Sequence, residues 1–126
     1  MKTLISLDIR TVNPRAYMEA VRRLHKLFPY KSEKWFERSK ERLFNVKYLG
    51  AEKKRFIKHL FYVKKDRKDN PDAKFKGYKV VISGRKFWCQ CFFTHYGERR
   101  ILDPCTHVGA CFLFLFYLEA LRNGFI

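Results

Sequence analysis

Two short Cys- and His-containing pairs near the end of the chain constrain its fold more than any other feature of the sequence. Cys89 and Cys91 are separated by one residue, Cys105 and His107 are separated by one residue, and 13 residues stand between the two pairs. Thiolates and imidazoles are the ligands that zinc prefers, and a structural zinc ion takes four of them tetrahedrally. The spacing therefore predicts that the chain folds back so that these four side chains bind one Zn²⁺.

The four predicted ligands form a closed set. Three thiolates and one imidazole fill the zinc shell, whereas a catalytic zinc keeps one position for water, so we expect a structural ion and no hydrolytic chemistry. The sequence also has no Gly-rich phosphate loop and no paired carboxylates at helical spacing among apolar residues. These residue patterns predict that the protein is not an enzyme.

Two further residues are alternative ligands. Cys111 lies one helical turn past His107, and His95 stands between the two pairs. We expect Cys111 to be a buried thiol, because free cysteine behaves as a small hydrophobe, and His95 to be an ordinary loop residue.

The start of the chain, MKTLISLDIR, lacks the apolar stretch of a secretion signal, which predicts a reducing, cytoplasmic location. In such a compartment, close Cys and His spacings indicate metal binding rather than disulfides.

The stretch FWCQCFFTHYGERRILDPCTHVGACFLF resembles the SWIM zinc finger, in which Cys-x-Cys is followed by a variable spacer and then Cys-x-His. The hairpin sequence YKVVISGRKFWCQC and the apolar segment after the second pair are placed as in that family. Phe92, Phe93 and Thr106 stand where the family commonly has an acidic residue and a lysine. The resemblance covers residues 45–120 and implies a small stand-alone zinc-finger protein, of an archaeal type, that binds DNA and contacts other proteins.

Hydrophobic periodicity predicts two helices in the first third of the chain. Asn13 and Pro14 form a helix start, and Pro29 ends the apolar repeat that follows. Ser32 caps a second helix with one apolar face. Its cations are expected to point away from that face, and they are Lys34, Arg38, Lys40 and Arg42.

From Asn45 the apolar period shortens to that of strands, which predicts a β-meander. The strand candidates are Val46 with Tyr48, Leu60 with Tyr62, Tyr78 to Ile82 and Lys86 to Cys91, preceded by an early strand over Thr3 to Ile9. Ser83-Gly84 suits a tight hairpin, and an apolar helix is expected from Thr106 to Arg122. The predicted class is α+β: N-terminal helices and an antiparallel meander packed with a C-terminal helix around the zinc. Residues 1–44 and 45–126 are the two predicted parts of one unit.

The charge of the chain predicts a polyanionic partner. Lys and Arg number 28 against 12 acids, for a net charge of +16, of which residues 1–76 carry +13. Such a surface attracts nucleic acid through its phosphates. We expect the contacts at Lys53, Lys54, Arg55, Lys58, Lys64, Lys65, Arg67 and Lys68. The polymer is either RNA, ribosomal RNA included, or DNA.

Aromatic residues are interleaved with these cations and allow two interpretations. Phe56, Phe61, Tyr62, Phe75 and Tyr78 either stack on unpaired bases or form the buried side of a sheet whose other side is charged. The apolar helix from Val108 to Leu118 is too short to span a membrane, which takes about 20 residues. It is either core or a surface for a protein partner such as a recombinase, which is the alternative function.

Overall fold

The predicted α+β class is confirmed by a four-stranded antiparallel sheet and three helices. The computed structural model describes Leu7 and residues 11–65, 76–93 and 104–124, without the side chains of Phe92 and Phe93. In this part of the chain the helices are α1 (Pro14–Leu27), α2 (Glu33–Arg42) and α3 (Thr106–Arg122). The strands are β1 (Val46–Lys53), β2 (Ile57–Lys64), β3 (Gly77–Ser83) and β4 (Lys86–Cys89), with 3-10 turns at Leu43–Asn45 and Gln90–Phe93.

The first two helices begin where the sequence predicts. The side chain of Asn13 accepts a hydrogen bond from the backbone N–H of Ala16 at 3.1 Å, and Pro14 occupies the first helical position. The hydroxyl of Ser32 accepts one from the N–H of Trp35 at 3.2 Å. Each side chain satisfies one N–H that the helix itself leaves without a partner.

The sheet is a meander in which each strand pairs with the next in chain order, β1-β2-β3-β4. The predicted tight hairpin joins β3 and β4: Ser83 pairs with Lys86, and Gly84 adopts φ +60° between them. Only glycine adopts this left-handed conformation without steric cost, which explains the Ser-Gly signal in the sequence.

α3 lies between the sheet and the other two helices. Phe114 of α3 contacts Phe61 of β2 at 6.0 Å between ring centroids, and Tyr117 accepts a hydrogen bond from the N–H of Asn13 at 2.8 Å. The helix spans its predicted bounds, and most of its side chains are buried. The stretch from Val108 to Leu118 is therefore largely core, with a partly exposed edge at Leu115, Phe116 and Leu118. None of the described helices is long and apolar enough to cross a membrane.

Two predicted details are wrong. Arg42 is buried, at 6% exposure, because its guanidinium donates a hydrogen bond from Nε to the hydroxyl of Thr106 at 2.8 Å. The last strand ends at Cys89 rather than Cys91, because the chain turns into a 3-10 turn from Gln90. Several predictions lie outside the described residues: the strand over Thr3 to Ile9 apart from Leu7, and the roles of Arg67, Lys68, Phe75 and His95.

Candidate metal centre

The four predicted ligands come from three structural elements that meet at one end of the sheet. Cys89 is the last residue of β4, and Cys91 lies in the 3-10 turn that follows. Cys105 is the capping residue of α3, with an extended backbone at φ −81° and ψ 173°, and His107 lies in the first turn of that helix. The change from strand to 3-10 turn lets the two cysteines of the first pair approach one point from different directions.

The ligand atoms form a tight cluster. One Sγ or ring nitrogen from each of Cys89, Cys91, Cys105 and His107 lies within 4.8 Å of all the others. Cys89, Cys105 and His107 are buried, and Cys91 is partly buried. None of these cysteines forms a disulfide. The four side chains can therefore hold one metal ion.

The distances within the cluster fit a tetrahedral zinc ion. Bonds of about 2.3 Å to sulfur and 2.0–2.1 Å to nitrogen place two sulfurs about 3.8 Å apart, and a sulfur and a nitrogen about 3.6 Å apart. Cys91 Sγ and Cys105 Sγ are 3.5 Å apart, and Cys105 Sγ and His107 Nδ1 are 3.6 Å apart. Cys89 Sγ lies 3.8 Å from His107 Nδ1. A tetrahedral ion bound by all four would have no coordination position left for water.

Close packing of the thiols separates their pKa values. Hydrogen bonding to Cys105 and Cys91, together with burial, raises the pKa of Cys89 well above its usual range. Burial also acts to raise the pKa of Cys105, but hydrogen bonds from Cys89, Cys91 and His107 outweigh it and lower this pKa. Three adjacent thiolates repel one another, and a divalent cation bound by them would allow all three to stay deprotonated.

Contacts from α2 fix the segment that carries the second pair. The indole N–H of Trp35 donates a hydrogen bond to the carbonyl oxygen of Pro104 at 2.9 Å, and Arg42 donates to Thr106. Pro104 and Thr106 flank Cys105 on either side in the chain. Both bonds therefore restrict the position of this ligand, in the way that partners outside the coordination shell orient metal ligands.

Close approach of α2 and α3 depends on Gly109. A Cβ atom at this position would lie 2.8 Å from Trp35 Cη2 and would also clash with Ser39 Oγ. The N–H of Gly109 donates to the carbonyl of Cys105 at 3.0 Å, which begins the regular bonding of α3. The ring of Tyr78 covers His107 with centroids 4.7 Å apart.

The supporting roles of Trp35, Arg42 and Gly109 were not predicted from the sequence. Trp35 carried a signal, since it lies on the predicted apolar face of α2 and an indole N–H needs a partner when buried. For Arg42 there was no such signal, because it follows several other charged residues in α2 and resembles an exposed cation. Its role depends on α2 and the start of α3 meeting in space.

Cys111, an alternative ligand by sequence, lies outside the cluster. It is fully buried in the core, as expected for a free thiol, and burial raises its pKa well above the usual range. The described part of the chain shows a single group of three or more His, Cys, Asp or Glu side chains placed to bind a metal, and Cys111 is not in it.

Six of the eight residues predicted to contact nucleic acid lie within the described ranges, and they form two groups at opposite ends of β2. Lys53, Lys54, Arg55 and Lys58 are exposed at the turn between β1 and β2. Lys64 ends β2 and is exposed, and Lys65 follows it and is partly buried. Among the interleaved aromatics, Phe61 is buried, Tyr78 packs on His107, and Phe56 is 67% exposed.

No protein-family model, curated protein or solved structure matches this chain. The resemblance to the SWIM zinc finger therefore depends on the Cys-x-Cys and Cys-x-His pairs and the elements that carry them. The geometry is compatible with a zinc finger.

Proposed function

We propose that this is a zinc-finger protein without catalytic activity that binds nucleic acid through an exposed basic surface of its sheet. Zinc would join the end of β4 to the start of α3 and so fix the sheet against the helices. The SWIM resemblance supports DNA as the polymer, and the small size and high charge equally suit a protein bound to RNA, including ribosomal RNA.

The observation that carries the proposal is a cluster of exposed cations without ion pairs at the turn between β1 and β2. In the helices, several arginines and lysines pair with nearby glutamates: Arg22 and Arg23 with Glu19, Arg38 with Glu41, and Lys40 with Glu37. Arg15, Lys26 and Lys34 form no ion pair within the described ranges, but they are spread over two helices. At the turn between β1 and β2, four exposed cations lie within six residues, and none of them forms an ion pair with any residue of the described ranges: Lys53, Lys54, Arg55 and Lys58. Unneutralised cations at one place on the surface attract a polyanion.

A charge-reversal experiment tests this surface. Lys54, Arg55 and Lys58 are changed together to Glu, and binding to RNA and DNA is measured over a series of salt concentrations. The matched control changes Arg15, Lys26 and Lys34 to Glu. These three residues are exposed on α1 and α2, and their replacement alters the net charge by the same amount.

We expect the sheet variant to bind much more weakly and with a shallower salt slope, because fewer counterions are released, and the control to stay close to wild type. Equal weakening in both variants would show that net charge alone attracts the polymer, and would contradict the proposal. Purification of the native protein at moderate salt then identifies the polymer: ribosomal RNA or DNA is expected.

The alternative function is that of a protein adaptor acting through α3. Most of that helix is buried between the sheet and the other helices, so a partner would meet only its edge at Leu115, Phe116 and Leu118. Recovery of one stoichiometric protein without nucleic acid in the same purification would favour this alternative.

A further inference from the structure

The sheet has an outer face that no described helix covers. Along each strand, alternate residues point to opposite sides. Phe61 and Val63 of β2 and Val80 and Ile82 of β3 are buried towards α3, so the residues between them point outward. Phe87 of β4 contacts Phe112 of α3, which places the neighbouring Trp88 on the outer side.

Strand register arranges the outer face in rows. Leu60, Val81 and Trp88 lie side by side across β2, β3 and β4. In a second row, Lys47, Tyr62 and Lys79 lie side by side across β1, β2 and β3. An apolar row that ends in a tryptophan is therefore adjacent to a row in which a tyrosine stands between two lysines.

Two aromatic rings on or beside this face are exposed, and a third, that of Tyr62, is half-buried. Trp88 is 37% exposed, and Phe56, at the turn before β2, is 67% exposed. The ring of Tyr62 lies over Gly77, where an added Cβ would lie 2.6 Å from Tyr62 Cζ. The missing side chain of Gly77 thus lets the tyrosine ring lie across the neighbouring strand. Phe56, Trp88 and Val81 line one groove together with Arg55, Lys58 and Lys86.

Positive charge surrounds these rings. The four strands carry six lysines, Lys47, Lys53, Lys58, Lys64, Lys79 and Lys86, against one acid, Glu52, which lies opposite Lys58. Lys47 pairs with Tyr62 across the strands, and Lys64 lies two residues further along β2 on the same face. Hydrogen bonding with Lys64 and its charge repulsion lower the pKa of Lys47. An anion placed between them would relieve that repulsion.

We infer that the outer face of the sheet binds unpaired nucleic acid, with bases stacked on Trp88, Tyr62 and Phe56 and phosphates held by Lys58, Lys79 and Lys86. Cations without rings would suit a duplex equally well. Exposed rings favour a single strand, because only unpaired bases offer their π-faces for stacking. Lys58 and Lys64 are about 20 Å apart along β2, which is long enough for several nucleotides of a single-stranded nucleic acid to contact the sheet. This inference depends on the proposed function and specifies its partner.

A comparison of two substitutions at Trp88 tests the inference. Trp88→Thr removes the ring and keeps a residue suited to strands, and Trp88→Phe keeps a ring. Tyr30→Thr is the matched control, because Tyr30 is 65% exposed but lies in the turn between α1 and α2 and belongs to no strand. Binding to a labelled single strand of about 12 nucleotides, and to the duplex of the same sequence, is measured by fluorescence anisotropy at equal salt.

We expect the wild type to prefer the single strand. Trp88→Thr should weaken single-strand binding about 5- to 150-fold, the range for loss of one stacked base, and leave duplex binding unchanged. Trp88→Phe and Tyr30→Thr should stay within a few-fold of wild type. Zinc content and melting temperature of each variant check that it is folded.

A second measurement uses the wild-type protein alone. The chain has two tryptophans, and Trp35 is buried at 7% exposure, so quenching of tryptophan fluorescence by the added single strand reports on Trp88. Strong quenching by the single strand and little by the duplex is expected. Equal affinity for both polymers without quenching would overturn the inference and leave the proposed function standing, whereas failure to bind either polymer at low salt would overturn both.

Discussion

The indole N–H of Trp35 donates a hydrogen bond to the carbonyl oxygen of Pro104 at 2.9 Å, which joins α2 to the residue immediately before the candidate ligand Cys105. The two residues are 69 positions apart in sequence. Both are buried, so neither group can exchange this partner for water. The candidate metal centre is thus supported from outside its own motif.

Trp35→Phe should weaken both folding and metal binding. The substitution leaves the carbonyl of Pro104 buried without its donor, and such a loss costs about 1–3 kcal/mol. We expect a free energy of unfolding lower by this amount in urea, and faster loss of zinc to a competing chelator. Trp88→Phe is the control, because it makes the same chemical change on the sheet surface. Equal zinc retention by both variants would show that the hydrogen bond does not support the site.

Cys91→Ser should abolish stoichiometric zinc binding, whereas Cys111→Ala should keep it. Both remove one thiol, but only Cys91 belongs to the cluster. Elemental analysis should find one zinc per chain in the wild type and in Cys111→Ala. Because structural zinc contributes directly to folding, a strong chelator should unfold the wild type, as followed by circular dichroism. Zinc bound equally by both variants would exclude the proposed ligand set.

Gly109→Ala should destabilise the contact between α2 and α3. Its Cβ would meet Trp35 and Ser39, and overpacking of this kind costs about 1–3 kcal/mol. Ser39→Ala provides the control, because it removes the Ser39 hydroxyl, which is buried and has no hydrogen-bond partner among the described residues. The double variant should be less destabilised than the sum of the single variants. Strict additivity in urea unfolding would argue against the clash with Ser39.

The stability of the protein should depend on pH through His59. Burial lowers the pKa of His59, whose Nδ1 lies 3.0 Å from the hydroxyl of Tyr48. The unfolded chain therefore binds more protons at this position, so stability is lost as pH falls below about 6.5 towards the lowered pKa of the folded state. His59→Gln should lose less stability than wild type between pH 7.5 and 5.5. Parallel curves for the two proteins would contradict this prediction.

The sequence was sufficient for the local structure of most elements. Helix starts depend on residues within one turn, as at Asn13, Pro14 and Ser32, and the β3–β4 hairpin depends on one backbone angle, at Gly84. Short sequence patterns are therefore enough to predict them. The bounds of α3 were also predictable, since its apolar run ends at Asn123-Gly124. The four Cys and His residues were predictable as a group, because their spacing satisfies the coordination chemistry of zinc.

Other features depend on which elements meet in space. The burial of Arg42, the hydrogen bond from Trp35 to Pro104 and the tight approach at Gly109 each join residues far apart in the chain. The predicted strand to Cys91 was wrong because strand alternation alone does not include the turn that directs Cys91 towards Cys105. Neither the apolar periodicity nor the residue spacing of the sequence predicts these contacts.

The aromatic residues show most clearly what each level decides. By itself the sequence determined that rings and cations are interleaved along the strands, a pattern compatible with either face of a sheet. Tertiary structure decided that Phe61 faces the core while Trp88 stays on the surface. The physical reason is that α3 covers one side of the sheet, and strand register then decides which rings share the exposed side with the lysines.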